Sequence, residues 1–232
     1  MRRVGSPIYS NGIISGNYLN YYIANIGYNL ATVRYTTVSF WYAVNGQLTN
    51  NTGGADVRHW PLLGQTTNNG GFDGYTSFIT SYPYQPSNMF LGVSCRGLNG
   101  PEFFNGGYVS GPTSVWTKSW NCVVAFTAAT SNPSTGPARL RIHHNYVNYQ
   151  GVGDGQHTVG STGLNPELRI LSDNTGGIFT PAPLMLLSDI RVYHRLISTQ
   201  EIQQILSDVP PQVLDHASRN GFTIKTKMSG SL

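Results

Sequence analysis

Apolar and polar residues alternate with a period of two through most of this 232-residue chain, a pattern that builds half-buried strands and not amphipathic helices. "TTVSFWYAV" sets Val38, Phe40, Tyr42 and Val44 on one face and Thr37, Ser39, Trp41 and Ala43 on the other. "WNCVVAFTA" makes a row of Trp120, Cys122, Val124 and Phe126. "ARLRIHHNYVNYQG" carries Leu140 and Ile142 to a turn near His144-Asn145 and resumes with Val147 and Tyr149, which reads as a hairpin. "ELRILS" and "LSDIRVYHRL" are further strands, and the stretches between, such as "NGQLTNNTGGADV", "TSNPSTGPA" and "GVGDGQHTVGSTG", are turn-rich. Many short strands joined by Gly/Asn/Pro loops predict a sandwich or jelly roll. No repeat or interdomain linker interrupts the pattern. A single all-β unit of this length buries a sizeable core without needing disulfides or metals.

One segment breaks the period. In "LISTQEIQQIL", Ser198 is a good N-cap and Glu201 stands three residues later, which makes a capping box. Ile197 and Ile202 occupy the hydrophobic-staple positions, Ile202, Ile205 and Leu206 form one stripe, and Pro210-Pro211 end the pattern. A strand carrying Ile190 and Val192 is therefore expected to run into one short helix on the sandwich edge. The expected core comprises Phe40, Tyr42, Val124, Phe126, Ile142, Ile170, Ile190 and Val192.

This closing segment resembles that of the laminin G-like, concanavalin A-like jelly rolls: Asp189, Arg191, Tyr193, Arg195, Ser198, Glu201 and Ile202 all fit the family's pattern. The upstream order of "YTTVSFWYAV", "WNCVVAF", "RLRIHHNYVNYQ" and "ELRILSDNTGG" agrees with it, so the resemblance covers Tyr18 to Leu206. It implies an all-β, two-sheet concanavalin A-like jelly-roll sandwich with one short C-terminal helix. Residues 1–17 then form an N-terminal arm, 18–208 the laminin G-like domain and 209–232 a C-terminal extension. The chain departs from the pattern at the hairpin turn, which lacks the usual Asp/Asn-Gly, in the long insert from Asn45 to Phe90, and in the residues after Leu206.

Charged residues make up 10% of the chain, against about 25% in ordinary soluble domains. Nine Lys/Arg balance nine Asp/Glu between Tyr21 and Asp208, so the net +4 resides in Arg2, Arg3, Arg219, Lys225 and Lys227, less Asp215. Such ends either solubilise the chain or dock on an acidic partner, and they are too few for a nucleic-acid-binding arm. No apolar run is long enough for a membrane span. "MRRVGSPIYSNG" has positive charge without an apolar h-region, so the expectation is a chain not routed for secretion. Cys95 and Cys122 sit in alternating apolar segments, the setting of buried free thiols, with a disulfide as the other reading.

Catalytic signals are weak. Retaining glycosidases need two carboxyls about 5 Å apart. The chain has only Glu102, Glu167 and Glu201, none with a second acid close by on one strand. "GVSCRG" lacks the second glycine of a nucleophile elbow and reads as a strand end. Adjacent His143 and His144 point to opposite faces of a strand, which argues against a shared metal. Calcium is the ion the family resemblance implies, and Asp154 in "GVGDGQ" and Asp173 in "SDNTGG" are the first candidate ligands, with Asp73 behind them. Each is also an ordinary turn residue. Asp189 is expected to support the helix end or pair with a nearby Arg. Trp60, Tyr75, Tyr82 and Tyr84 lie among Asn and Gln in segments read as exposed loops. Their rings suit a sugar face, a subunit contact, or packing on their own domain.

These features together lead to the expectation of a non-enzymatic structural or binding protein, a capsid decoration or minor capsid subunit on a virus or phage particle. Such a protein would act in the virion as a homo-oligomer beside other particle subunits. The alternative is an extracellular carbohydrate-binding lectin with a glycan ligand. A glycoside hydrolase is a distant third.

Overall fold

The computed structural model describes residues 1–17, 19–30, 33, 35–46, 58–65, 74–81, 88–96, 107–112, 117–128, 139–145, 147–152, 166–172 and 184–225. Its strands are β1 (Arg2–Val4), β2 (Ile8–Ser10), β3 (Ile13–Gly16), β4 (Tyr21–Asn25), β5 (Tyr35–Asn45), β6 (Arg58–Gly64), β7 (Gly74–Ser81) and β8 (Asn88–Arg96). They continue with β9 (Gly107–Pro112), β10 (Ser119–Ala128), β11 (Arg139–His144), β12 (Val147–Val152), β13 (Glu167–Ile170) and β14 (Leu184–Tyr193). Helices α1 (Thr199–Ser207) and α2 (Pro211–Asn220) and the short β15 (Thr223–Ile224) close the described chain.

One sheet is ordered β1-β4-β13-β6-β7-β8-β9 and the other β12-β11-β10-β5-β14-β3-β2. Every pairing between these strands is antiparallel, and β15 adds in parallel to the start of β10. The architecture is the expected all-β, two-sheet jelly-roll sandwich.

Two apolar clusters flank the second sheet. Phe40, Tyr42, Val123, Ile142 and Ile170 belong to the cluster between the sheets. On the opposite face, Trp41, Trp120, Val124 and Phe126 pack with Ile202, Ile205, Val213 and Phe222 of the helical segment. The helices thus form a third layer, and β5 is buried on both faces from Thr36 to Val44. The expected core is corrected first in its facing. Val124 and Phe126 are buried, but under the helices, because Cys122 pairs with Trp41 and Val124 with Ser39, which places that whole row on the outer face. Val123 and Ala125 take the inner one.

The capped helix forms as expected. Ser198 Oγ accepts from the Glu201 amide at 3.2 Å, and Glu201 Oε2 accepts from the Ser198 amide at 2.8 Å. Pro210-Pro211 do more than end it. Pro211 begins α2, where a fixed φ is favourable and the missing N–H removes no helical bond. Gly221, left-handed at φ 66°, closes α2.

The ends also differ from the expectation. Residues 1–17 are not a free arm: β1 pairs with β4, and β2–β3 make a hairpin on the edge of the second sheet. Asn11 (φ 49°) and Gly12 (φ 76°) supply its turn, the Asn-Gly hairpin signal. Residues 209–225 fold back on their own sheet. Arg2 pairs with Glu167 at 3.5 Å, Arg3 lies over the Tyr22 ring and Arg219 pairs with Asp215, so these basic residues contact their own chain.

Asn145 explains the atypical hairpin turn between β11 and β12. It takes the left-handed conformation itself (φ 54°), and its Oδ1 accepts from the Cys122 amide at 2.9 Å. In β14 a register shift between Ser188 and Arg191 inserts one extra residue against β5. Asp189 is left-handed there (φ 52°) and pairs with Arg191 at 2.7 Å, as the sequence suggested. Beyond this bulge Ile190 and Val192, expected in the core, are only half-buried and pack against its margin.

Candidate functional site: a groove between helix α2 and the outer sheet face

The aromatic residues singled out from the sequence do not gather into one exposed site. Trp60 and Tyr75 lie on β6 and β7, are 3% and 1% exposed, and belong to the inter-sheet core. Neither ring is presented to solvent. The Gly/Asn-rich flanks suggested loops, but Trp60 pairs with Ile79 and Tyr75 with Cys95 in antiparallel ladders. Tyr82, Tyr84, Asp73, Asp154 and Asp173 lie outside the described residues. Among the described residues no group of three His, Cys, Asp or Glu gathers to hold a metal, and no helix is long and apolar enough to cross a membrane.

Several other titratable residues are held within the fold. His144 is buried and its Nε2 lies 2.9 Å from the Tyr42 hydroxyl. Burial pulls its pKa down to about 3 and pushes the Tyr42 hydroxyl well up. Neighbouring His143 faces the other way, against the Phe126 ring. Cys122 is a free buried thiol, raised above its usual range by desolvation. Glu201 belongs to the capping box, while Glu167 pairs with Arg2 on the first sheet.

The described surface opens instead between α2 and the outer face of the second sheet. Here a groove of about 320 Å³ is floored by β2, β3 and β14 and walled by one face of α2. Asn11 and Asn45 stand at its rim, Ile8 and Leu184 expose their side chains to it, and Ser15 lies on its floor. Gln212, Asp215, His216, Arg219 and Asn220 form the wall. Their spacing of three and four residues puts them on one helix face, while Val213 and Ala217 turn into the core beneath.

Hydrogen bonds fix this wall. Gln212 Nε2 donates to Ser188 Oγ at 3.1 Å, and Ser188 Oγ donates to the Gly12 carbonyl at 3.0 Å. The helix sits close to the β2–β3 turn, since a Cβ on Gly12 would meet Gln212 Cγ at 3.1 Å. Trp120 Nε1 donates to His216 Nδ1 at 3.3 Å. With Nδ1 as acceptor, the neutral ring carries its proton on Nε2. Partial burial lowers the His216 pKa, against the opposing pull of Asp215. Asp215 accepts from Arg219 Nε at 2.8 Å, so the wall's carboxylate and guanidinium offset each other. The arrangement is a preformed, nearly uncharged cleft lined by amides, hydroxyls and aliphatic side chains.

No protein-family model matches the sequence, and no curated protein matches it. Solved structures match its fold. A botulinum neurotoxin type C structure, whose description states that cell entry depends on interaction with two ganglioside molecules, aligns at a TM-score of 0.57 and 10% identity. The binding domain of botulinum neurotoxin serotype D/C aligns at 0.56 and 12%. Each alignment covers 88% of this chain, but only 45% and 46% of those chains. Trypanosoma rangeli sialidase in complex with 2,3-difluorosialic acid aligns at 0.51 and 11% identity, covering 88% of this chain and 29% of the sialidase. The chain therefore spans less than half the length of these proteins. At these identities the likeness is one of fold, the two-sheet jelly-roll sandwich.

Proposed function

We propose that this protein is a non-enzymatic binding module of the laminin G-like type, and that the groove beside α2 is its working surface. The groove's lining carries this reading. It is preformed, held by hydrogen bonds, and among the described residues contains one carboxylate, Asp215, already engaged by Arg219. Most glycoside hydrolases, sialidases with their tyrosine nucleophile excepted, use two carboxyls, about 5–5.5 Å apart for retention or 6.5–9.5 Å for inversion. Such a lining favours recognition over bond cleavage. The ganglioside and sialic-acid ligands named for the fold neighbours support glycan recognition. Immobilised glycans should therefore retain the protein, with no reducing sugar released from β-glucan, galactan or sialylated substrates. Release that is lost in Glu102→Gln or Glu167→Gln would overturn the non-enzymatic reading, and failure to bind any glycan would overturn the binding reading.

For its setting we propose the surface of a virus or phage particle, with many copies beside other particle subunits. The balanced charge between Tyr21 and Asp208 supports this, because neutral bodies pack side by side without mutual repulsion. Ile8 and Tyr9 on the exposed edge strand β2 add apolar contact area. Light scattering at high concentration and co-purification with particles test it. A chain that stays monomeric and joins no particle is instead a free lectin.

A further inference from the structure

We infer that the groove between α2 and strands β2, β3 and β14 takes a neutral saccharide and needs no metal ion to do so. The inference rests on the binding-module reading and adds the ligand's chemistry.

A pyranose presents hydroxyls that both donate and accept, set around an apolar C–H face. The groove offers matching groups. Asn11 and Asn45 enter no side-chain hydrogen bond with the described residues, so each amide keeps a donor and an acceptor at the rim. Gln212 and Asn220 each spend an amide donor within the chain, to Ser188 and to the His216 carbonyl, which leaves their oxygens as acceptors. Ile8 and Leu184, 62% and 39% exposed, supply aliphatic surface between these amides. The volume of about 320 Å³ lies at the lower end of the range for small-ligand sites, about 300–1,000 Å³, which suits a short saccharide.

Charge decides between ligand classes. The guanidinium of Arg219 is the one cation among the described lining residues, if His216 is neutral, and Asp215 holds it at 2.8 Å. An incoming carboxylate or sulfate would meet the Asp215 carboxylate beside that guanidinium. An anionic sugar therefore gains little from this site. A calcium-bridged ligand is also disfavoured. Calcium takes six to eight oxygen ligands, commonly including several carboxylates, and the described lining supplies one carboxylate, already paired. Recognition by uncharged amides without a stacking platform is weak, so a Kd of about 1 mM is expected.

The test is an NMR titration of the full chain with lactose, maltose and cellobiose, each repeated with EDTA, and with 3′-sialyllactose as the anionic probe. Neutral sugars should shift the amide signals of Asn45, Gln212, His216 and Asn220, equally with and without EDTA. Ser15→Trp, which fills the floor, and Asn45→Ala, which removes a rim amide, should each weaken binding at least about tenfold, or about 1.4 kcal/mol. Asn45 is an exposed residue at a strand end, so its variant reads the site even if Ser15→Trp fails to fold. Tighter binding of sialyllactose than lactose at these residues, loss of binding with EDTA, or no shift at about 20 mM neutral sugar, well above a Kd of about 1 mM, would overturn the inference. Glycan binding that persists in Asn45→Ala with shifts mapping elsewhere would also overturn it, while leaving the binding-module reading intact.

Discussion

Arg195 and Glu201 meet as two forks across the turn between β14 and α1. Arg195 Nη1 lies 2.9 Å from Glu201 Oε2, and Nη2 closes on Oε1. The same carboxylate accepts from the Ser198 amide, so one side chain fixes both the exit of the strand and the entry of the helix. Arg195 and the Ser198 bonds hold the Glu201 pKa down at about 2.

A carboxyl with a depressed folded-state pKa contributes stability that is present above its unfolded value and lost as pH falls through the folded one. Glu201→Gln should therefore lower the urea midpoint at neutral pH. Its deficit against wild type should shrink between pH 4.5 and about 2. Ser198→Ala removes the other half of the box at a cost of about 1 kcal/mol. An unchanged midpoint in both variants would refute the capping role.

His144 is expected to set the protein's acid sensitivity. Burial lowers its pKa from 6.5 to about 3, so folding favours the neutral ring. The unfolded chain gains a proton first as pH falls, and stability drains between pH 6.5 and about 3. His144→Gln can still bond the Tyr42 hydroxyl but does not titrate. Its urea midpoint should fall less steeply over that interval, with a difference on the order of a few kcal/mol in slope-integrated stability. Parallel curves for the two proteins would contradict this.

His216 should couple acidity to Trp120. Protonation of Nδ1 below the ring's lowered pKa removes the acceptor of the Trp120 indole N–H. The neutral ring's contribution is complete above pH 6.5 and lost as pH falls below it. Tryptophan emission should then change with pH in wild type and stay flat in His216→Phe. Identical titrations would remove the coupling.

Deleting Val209 to Leu232 should destabilise the sandwich. Val213 and Phe222 are buried against the outer face that carries Trp41 and Trp120. Full burial of each such side chain contributes about 1.5–3 kcal/mol. The truncated chain should bind a hydrophobic dye and unfold at lower urea. Wild-type stability would mean that the helical layer is not part of the core.

Alternation located β5, β10, β11, β12 and β14 in the sequence because each carries a long enough apolar row to show its period. It could not say which row of β10 faces which cluster, since both faces are buried. Strands β1 to β3 run three or four residues each, too short for a period, and the Asn11-Gly12 turn that could have revealed the β2–β3 hairpin went unread. Pro211 reads equally as a stop and as the first residue of a helix, and only Val213 and Ala217 beyond it favour the second. The groove was the least legible part. Its lining comes from Ile8 to Ser15, Asn45, Leu184 to Leu186 and α2, segments that share no spacing until the sheet aligns them.

The bulge at Asp189 is a phase slip. Ahead of it Leu187 faces the inter-sheet core and Leu186 faces the helices; behind it Ile190 and Val192 are again on the inner side. Were Asp189 instead paired regularly against β5, alternation running on from Leu187 would turn Arg191 between the sheets and Ile190 and Val192 outward. By taking Asp189 out of the alternation, the bulge keeps the Arg191 guanidinium out of the core.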